Sequence, residues 1–494
     1  MLLQYPEQPQ SREPQSREFQ SWELQSRKRQ QPRFARSLEP EAAEDRWRWC
    51  PGSSLASGLL LAMVGVFATG CDRAPTTEAA PPAATAEAAE QSAPDVDALR
   101  ALPYAGSAGP ADPNRSGVVV YDPERSSQGY NLVIVERQCA MELLTPRGDV
   151  ARRWELPEEL QDRCQHWGHG EVLEDGSAVV IHTERLGEAK SGNDKGGQRK
   201  RRFLLRLDPQ GEILWKQRMR AHHELDLLPD GRILALGSKV RTIEAIDPEV
   251  PVQDNRLLMI SPQGEVEIDL SLTQLFLDAD PSIARLQKVA AREKASGRET
   301  IGLLHCNGVQ WIPAQFQSGP LGASNVDRAL VTCRHQDLIF AVAWTDTPQI
   351  LWAWGQGELA GPHDATTLPQ DRVLVFDNGL GRGWSRILEI DSSTKEIVWS
   401  YRGAEVTEPG EADEALPGDL YTATRGSAQR LPNGNTLIAE SEAGRALEVT
   451  PEGDVVWEYW SPHVDAKGER AIIPKIRRFE PSQVETLMRG TGAP

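Results

Sequence analysis

Three polar residues stand at one distance from a turn: His223, Asn307 and His363 each lie six residues before a proline, Pro229, Pro313 and Pro369. Equal spacing from a repeated turn means equal places on repeated strands, and such places converge on the axis when the repeats close into a ring. His305 is two residues before Asn307, on the same face of its strand by the two-residue alternation. Arg334 ends the returning strand of that hairpin, so antiparallel pairing brings it beside His305. A neutral histidine is a nucleophile. An arginine fork with histidine or asparagine donors can hold the oxygens of a sulfate monoester while charge builds on them. This is a transferase or hydrolase constellation. A lone strand histidine commonly just closes a hydrogen bond; the shared register sets this group apart. His166 and His169 are off that register and read as structural, as does Asp364, which follows His363 on the opposite face. The spacings of common zinc sites, a phosphate loop and a dinucleotide glycine motif are all missing from the sequence, so neither a metal nor a cofactor is expected.

The elements that must position these residues are two kinds of hairpin in alternation. One turns at Thr145-Pro-Arg-Gly148, Asp208-Pro-Gln-Gly211, Ser261-Pro-Gln-Gly264, Asp346-Thr-Pro-Gln349, Asp391-Ser-Ser-Thr394 and Thr450-Pro-Glu-Gly453, and runs on to Trp154, Trp215, Ile268, Trp352, Trp399 and Trp457. The other turns at Leu173-Glu-Asp-Gly176, Leu228-Pro-Asp-Gly231, Ile312-Pro313, Leu368-Pro-Gln-Asp371 and Leu431-Pro-Asn-Gly434. Five pairs give five four-stranded sheets. The unpaired first hairpin completes a sixth, either with Gly117 to Tyr121 or with a C-terminal strand. The predicted fold is all-β, a six-bladed β-propeller over residues 113–480, with a C-terminal tail at 481–494. Asp278 to Glu299 is rich in Ala, Arg, Lys and Leu and reads as a small helical insertion, a loop on one face.

Ahead of the propeller, residues 1–45 are rich in Gln, Arg, Glu and Ser with no apolar period, which reads as disorder or as an untranslated upstream stretch. Arg46 and Arg48 then precede an apolar run from Leu55 to Phe67 that ends in Ala68, Thr69, Gly70 and Cys71. This is the order of an export signal, and the run falls short of the about 20 apolar residues of a membrane span. Residues 1–70 are therefore expected to be a disordered N-terminus and signal, and Cys71 a lipidated mature N-terminus. The Ala, Pro, Thr and Glu-rich stretch over 71–112 is expected to be a flexible tether. The expected location is the periplasm or cell surface, held to a bacterial membrane by the lipid anchor only. In that oxidising setting Cys306 and Cys333, on two arms of one hairpin, are expected to form a disulfide. Cys139 and Cys164 are a second pair that no hairpin register fixes. A formal net charge of -18 excludes a phosphate-backbone partner, so nucleic acid is not expected. The oligomeric state is not encoded in any of these patterns.

From about Gly117 to Tyr459 the chain resembles the bacterial aryl-sulfate sulfotransferases, which are six-bladed propellers. The resemblance rests on Gly129-Tyr130, His222-His223-Glu224, His305-Cys306-Asn307, Arg334, Pro362-His363-Asp364, Phe376-Asp377-Asn378-Gly379, Ser385-Arg386 and Leu431-Pro-Asn-Gly-Asn435. It implies nucleotide-independent sulfuryl transfer from a small phenolic donor to a phenolic acceptor through a sulfated histidine. His363 matches that nucleophile, while His305, Arg334 and the His222-His223 pair match sulfate-binding positions; Asn307 joins them through the register. Of the pair, His223 is preferred, because a one-residue shift turns the side chain to the other face. The chain departs from the family at Pro362, Gly308 and Cys333, where glutamine, serine and a small hydroxyl residue are usual. Two other classes use similar repeats: a non-catalytic propeller lipoprotein that binds a partner, and a quinone-cofactor dehydrogenase, which normally needs eight blades.

Overall fold

The computed structural model describes residues 107–185, 200–279, 283–314, 321, 325–403 and 418–489. Cys71, the signal and most of the tether lie outside them. Strands β1 (Gly117–Tyr121), β2 (Tyr130–Val135), β3 (Ala140–Leu144) and β4 (Val150–Glu155) are followed by a short helix, α1 (Glu158–Gln161). Next come β5 (Cys164–Val172), β6 (Ala178–Arg185), β7 (Lys200–Leu207) and β8 (Ile213–Arg218), then β9 (Ala221–Leu227), β10 (Ile233–Ile243), β11 (Asp247–Ile260) and β12 (Val266–Ser271). Helices α2 (Leu272–Ala279) and α3 (Ala284–Ala295) lead to β13 (Cys306–Ile312), β14 (Arg328–Cys333), β15 (Leu338–Ala343) and β16 (Ile350–Trp354). The chain ends with β17 (His363–Leu368), β18 (Arg372–Asp377), β19 (Arg386–Asp391), β20 (Ile397–Tyr401), β21 (Ser427–Arg430), β22 (Thr436–Glu440), β23 (Arg445–Val449), β24 (Val455–Trp460), β25 (Ile476–Phe479) and α4 (Pro481–Arg489).

These strands form six antiparallel sheets, each a blade of a six-bladed β-propeller. Blades two to five are β5–β8, β9–β12, β13–β16 and β17–β20 in chain order. Both strands proposed to complete the ring are used, in different blades. β25 pairs with β2 as the inner strand of blade one, and β1 pairs with β24 as a fifth, outer strand of blade six. Each terminal strand thus closes the ring against the opposite end of the chain.

The periodic tryptophans tie blade to blade. The indole N–H of Trp154 donates to Gly176 O at 3.0 Å, Trp215 to Pro262 O at 2.9 Å, Trp352 to Ser392 O at 2.9 Å and Trp399 to Pro451 O at 3.0 Å, each in the next blade. Trp457 of blade six donates to Pro146 O of blade one at 2.8 Å and joins the ends of the ring. Ile268, the copy without an indole, is exposed. Between blades lie six apolar layers, each filled by alternate residues of neighbouring sheets. Side chains also join successive inner strands. Asp226 accepts from Trp311 N at 2.7 Å, Gln310 from Thr367 N at 2.7 Å, Asp364 from Ala428 N at 2.9 Å and Gln429 from Arg478 N at 2.7 Å.

The helical insertion begins at Leu272, earlier than its composition suggests, and does not stand out as a loop. Leu272, Leu275, Leu286 and Ala290 pack into the layer between blades three and four beside Val252, Met259 and Phe340, because this wedge needs apolar filling. The segment set apart as a tail begins with the helix α4, whose Val484 and Leu487 join the layer between blades one and two. Both disulfides are formed, Cys139–Cys164 and Cys306–Cys333. They fit an extracytoplasmic compartment. Among the described residues no helix is long and apolar enough to cross a membrane.

Candidate active site

The second kind of hairpin supplies the inner strand of blades two to six, so His223, Asn307 and His363 stand on β9, β13 and β17 as their register requires. All three line one cavity at the axis, together with Glu136, His166, Arg202, His222, Glu224, Arg425 and Lys475.

Strict alternation fails on these strands. The pairing of β9 with β10 slips between Leu225 and Ala221, that of β13 with β14 between Cys306 and Gly308, and that of β17 with β18 between His363 and Thr366. His223 and Asp364 take positive φ of 65° and 48° at two of these bulges, and His305 takes 49° just before β13; bulges are devices that re-aim side chains near active sites. His222 therefore does not turn away from the axis, and both rings of the pair line the cavity, 4.9 Å apart. His222 Nδ1 lies 3.4 Å from Arg220 O and its Nε2 lies 3.3 Å from the Asn255 amide nitrogen, so both ring nitrogens face protein groups.

His305 packs its ring 5.2 Å from that of His223 and 4.5 Å from that of His335. Arg334 is fully buried, and its backbone N–H donates to His305 O at 3.0 Å, the juxtaposition expected of the hairpin's two arms. The disulfide joins the next residues, Cys306 and Cys333, which pair directly across β13 and β14. Asn307 donates from Nδ2 to Pro362 O at 3.0 Å and so fixes the backbone just before His363.

His363 is buried, with Nδ1 2.7 Å from Asn378 Oδ1 and 3.1 Å from Gly361 O. Asn378 has a single possible orientation, because its amide nitrogen donates to Thr422 O at 2.8 Å and to Arg425 O at 2.7 Å. Two acceptors at Nδ1 put the ring proton there. Nε2 is then the unprotonated nitrogen, and it accepts the Arg425 backbone N–H at 3.2 Å. Burial and the neighbouring Arg334 push the His363 pKa down to about 3, so the ring is neutral at ordinary pH. Burial also lowers His222 to about 3 and holds His223 and His305 well below the usual histidine range. Arg425 and Gly426 both have positive φ, and a side chain on Gly426 would strike the Phe376 ring at 2.7 Å; glycine lets this segment pass close over the partner strand of His363.

Beneath the histidines the axis is closed by charge. Lys475 Nζ lies 2.8 Å from Asp364 and 3.0 Å from Glu224, His169 Nε2 lies 2.9 Å from Glu224 and 3.3 Å from Glu171, and Arg477 holds Glu171 at 2.5 Å. His169, left aside as off register, belongs to this network. Burial alone would lower its pKa, but Glu224 and Glu171 raise it to about 9, which makes it an imidazolium. His169, Glu171 and Glu224 have ligand atoms close enough to hold a metal ion. An imidazolium has no lone pair for one, however, and Lys475 and Arg477 already occupy the carboxylates. The other such group, Cys139, Cys164 and His182, has its sulfurs oxidised in the disulfide.

Several of these residues escape the sequence reading as site residues. Asn378 was recoverable: with His363 opposite Phe376, the antiparallel register carries Asn378 back beside the nucleophile. Arg425 and Lys475 come from two connections between blades and Glu136 from the turn between β2 and β3 of blade one, and no repeat marks them.

The arylsulfotransferase (ASST) family model matches residues 198–462, more than half of the chain. The protein belongs to the arylsulfotransferase family. The matched region contains His222, His223, His305, Asn307, Arg334, His363 and Asn378, so a family of sulfotransferase enzymes coincides with the cavity just described. No curated protein sequence matches the chain. Among solved structures, a protein of unknown function from Bacteroides caccae is 14% identical with a TM-score of 0.40, over 72% of this chain and 99% of that one. Virginiamycin B lyase from Staphylococcus aureus is 11% identical with a TM-score of 0.36, over 72% of this chain and 88% of that one. The assignment rests on the family match and not on these distant likenesses.

Proposed function

We propose that this arylsulfotransferase moves a sulfuryl group from an aryl sulfate to a phenolic acceptor through a sulfated His363. The observation that carries the reading is the Asn378–His363 pair, which puts the proton of a neutral ring on Nδ1 and leaves the lone pair on Nε2, where the Arg425 backbone N–H must give way to an incoming sulfur. In the first half-reaction Nε2 attacks sulfur, an N–S bond forms, the S–O bond to the ring breaks, and the phenolate leaves with the bonding electrons. In the second, a phenol oxygen attacks the same sulfur and the N–S bond breaks back to neutral His363. The first phenolate takes up one proton and the second phenol gives one up, so the cycle is balanced in protons.

Arg334 supplies positive charge behind His363. His223, His305 and the Arg425 backbone N–H are the donors for sulfuryl oxygens, whose charge they stabilise most in the transition state. His222 supports His223, and Asn307 positions the nucleophile's backbone. Because Lys475, Asp364 and Glu224 close the axis below, donor and acceptor use one mouth in turn, which suits two half-reactions at one nucleophile.

The test is peptide mass spectrometry after quenching the enzyme with donor alone. The expected product is a sulfated peptide containing His363, and full turnover by His363→Asn overturns the mechanism. From the signal-like order before Cys71 we also propose that the mature protein is lipid-anchored there and faces the periplasm or cell surface. Detergent-phase partitioning that survives Cys71→Ala rules the lipid anchor out.

A further inference from the structure

The inner strands follow the ring in the order β25, β5, β9, β13, β17 and β21. β5 is therefore three places from β17 in either direction, and blade two faces His363 across the cavity. That far wall presents His166, Thr183 and Arg202. Thr183 pairs with Arg202 in the β6–β7 register, and its hydroxyl lies 3.3 Å from His166 Nε2.

Arg202 differs from the other cations of the cavity wall. Arg425 is held by Glu136 at 3.2 Å, and Lys475 by Asp364 and Glu224. Among the described residues no carboxylate lies within ion-pair distance of Arg202. Arg202 is exposed to solvent where it meets the cavity; the protein around it and Arg220 both weaken its hold on its proton, and no carboxylate offsets them. A guanidinium kept in such a place is stabilised by an arriving anion, and its planar fork matches a carboxylate.

We propose that Arg202 is a second anion subsite, and that the aryl substrate carries a carboxylate on the part of its ring remote from the reacting oxygen. This rests on the sulfuryl-transfer reading, which seats one end of the substrate at His363; the ring then spans the cavity and its far substituent meets blade two. Arg202 takes the carboxylate as a bidentate pair, with His166 and Thr183 as polar neighbours. Acidic aryl sulfates and hydroxyaryl carboxylates are favoured over plain phenols.

Isothermal titration with two sulfonates, which cannot transfer their sulfur group, tests the subsite apart from the reaction. The full chain is expected to bind 4-sulfobenzoate at least ten times more tightly than benzenesulfonate. Arg202→Gln should bring the two within about twofold while leaving benzenesulfonate unchanged, and Arg202→Lys should keep part of the preference. Equal affinities in the native protein, or a preference that survives Arg202→Gln, overturn the proposal. Circular dichroism checks the fold of each variant, and Arg202→Lys carries the test if Arg202→Gln does not fold. In turnover, Arg202→Gln should lower kcat/KM for 4-sulfooxybenzoate at least tenfold and leave phenyl sulfate unaffected. A binding preference that depends on Arg202, in a protein that turns over neither ester, supports the subsite and overturns the sulfuryl-transfer reading instead.

Discussion

Asn378 Oδ1 lies 2.7 Å from His363 Nδ1, while the Asn378 amide nitrogen donates to two backbone carbonyls that hold it in that orientation. The pair decides which nitrogen of the histidine can attack. It joins the end of β18 to the start of β17, so the hairpin that presents the nucleophile also sets its tautomer.

Replacing Asn378 by Leu removes the acceptor and lets the proton move to Nε2. The expected result is a kcat lower by about 10²- to 10⁴-fold, the upper figure being the loss that a wrong tautomer causes in a serine protease triad. Steady-state turnover of an aryl sulfate measures it, with circular dichroism to show an unchanged fold. Unchanged kcat would remove Asn378 from the mechanism.

The pH response has two parts of opposite sign. His363, lowered to about 3 from an ordinary 6.5, takes up a proton more readily when unfolded, so its contribution to stability is complete above about pH 6.5 and falls as the pH drops towards 3. His169, raised to about 9, contributes fully below pH 6.5 and loses that contribution as the pH rises through 9. Urea midpoints measured from pH 4 to 10 should fall on both sides, and His169→Gln should flatten the alkaline side only. An alkaline fall unchanged in that variant rejects the imidazolium assignment.

Lys475→Met should destabilise the protein by about 3–5 kcal/mol, because it leaves the buried Asp364 without its cation and Glu224 with only His169. Adding Glu224→Gln should recover part of the loss, and denaturant unfolding of the two variants makes the comparison. A double variant no more stable than the single one argues that Lys475 acts on some other group.

Removing the Cys306–Cys333 bridge, whose partners are 27 residues apart in sequence, should cost about 3.5 kcal/mol by loop entropy. The Cys306→Ser/Cys333→Ser variant should also raise KM, since the bridge braces the neighbouring His305 and Arg334. Thiol labelling of the unreduced, unfolded protein should find neither cysteine, and labelling of both would exclude the bond.

The sequence by itself determined the ring. Alternating turns, with a tryptophan within nine residues of the start of the turn in five copies of the first kind, are local signals, and they place His223, Asn307 and His363 on equivalent inner strands. The hairpin arms likewise fix Cys306 opposite Cys333 and Arg334 beside His305. Only the tertiary structure decided what the inner strands do between those points. Bulges in β9, β13 and β17 break the two-residue period, so both His222 and His223 reach the axis, and a period alone has no term for an inserted residue. Ring closure decided the rest. Arg425, Glu136, Lys475 and Arg202 line one cavity because six blades bring separate strands, turns and connections to one axis, and positions so far apart in sequence share no spacing from which that could be read.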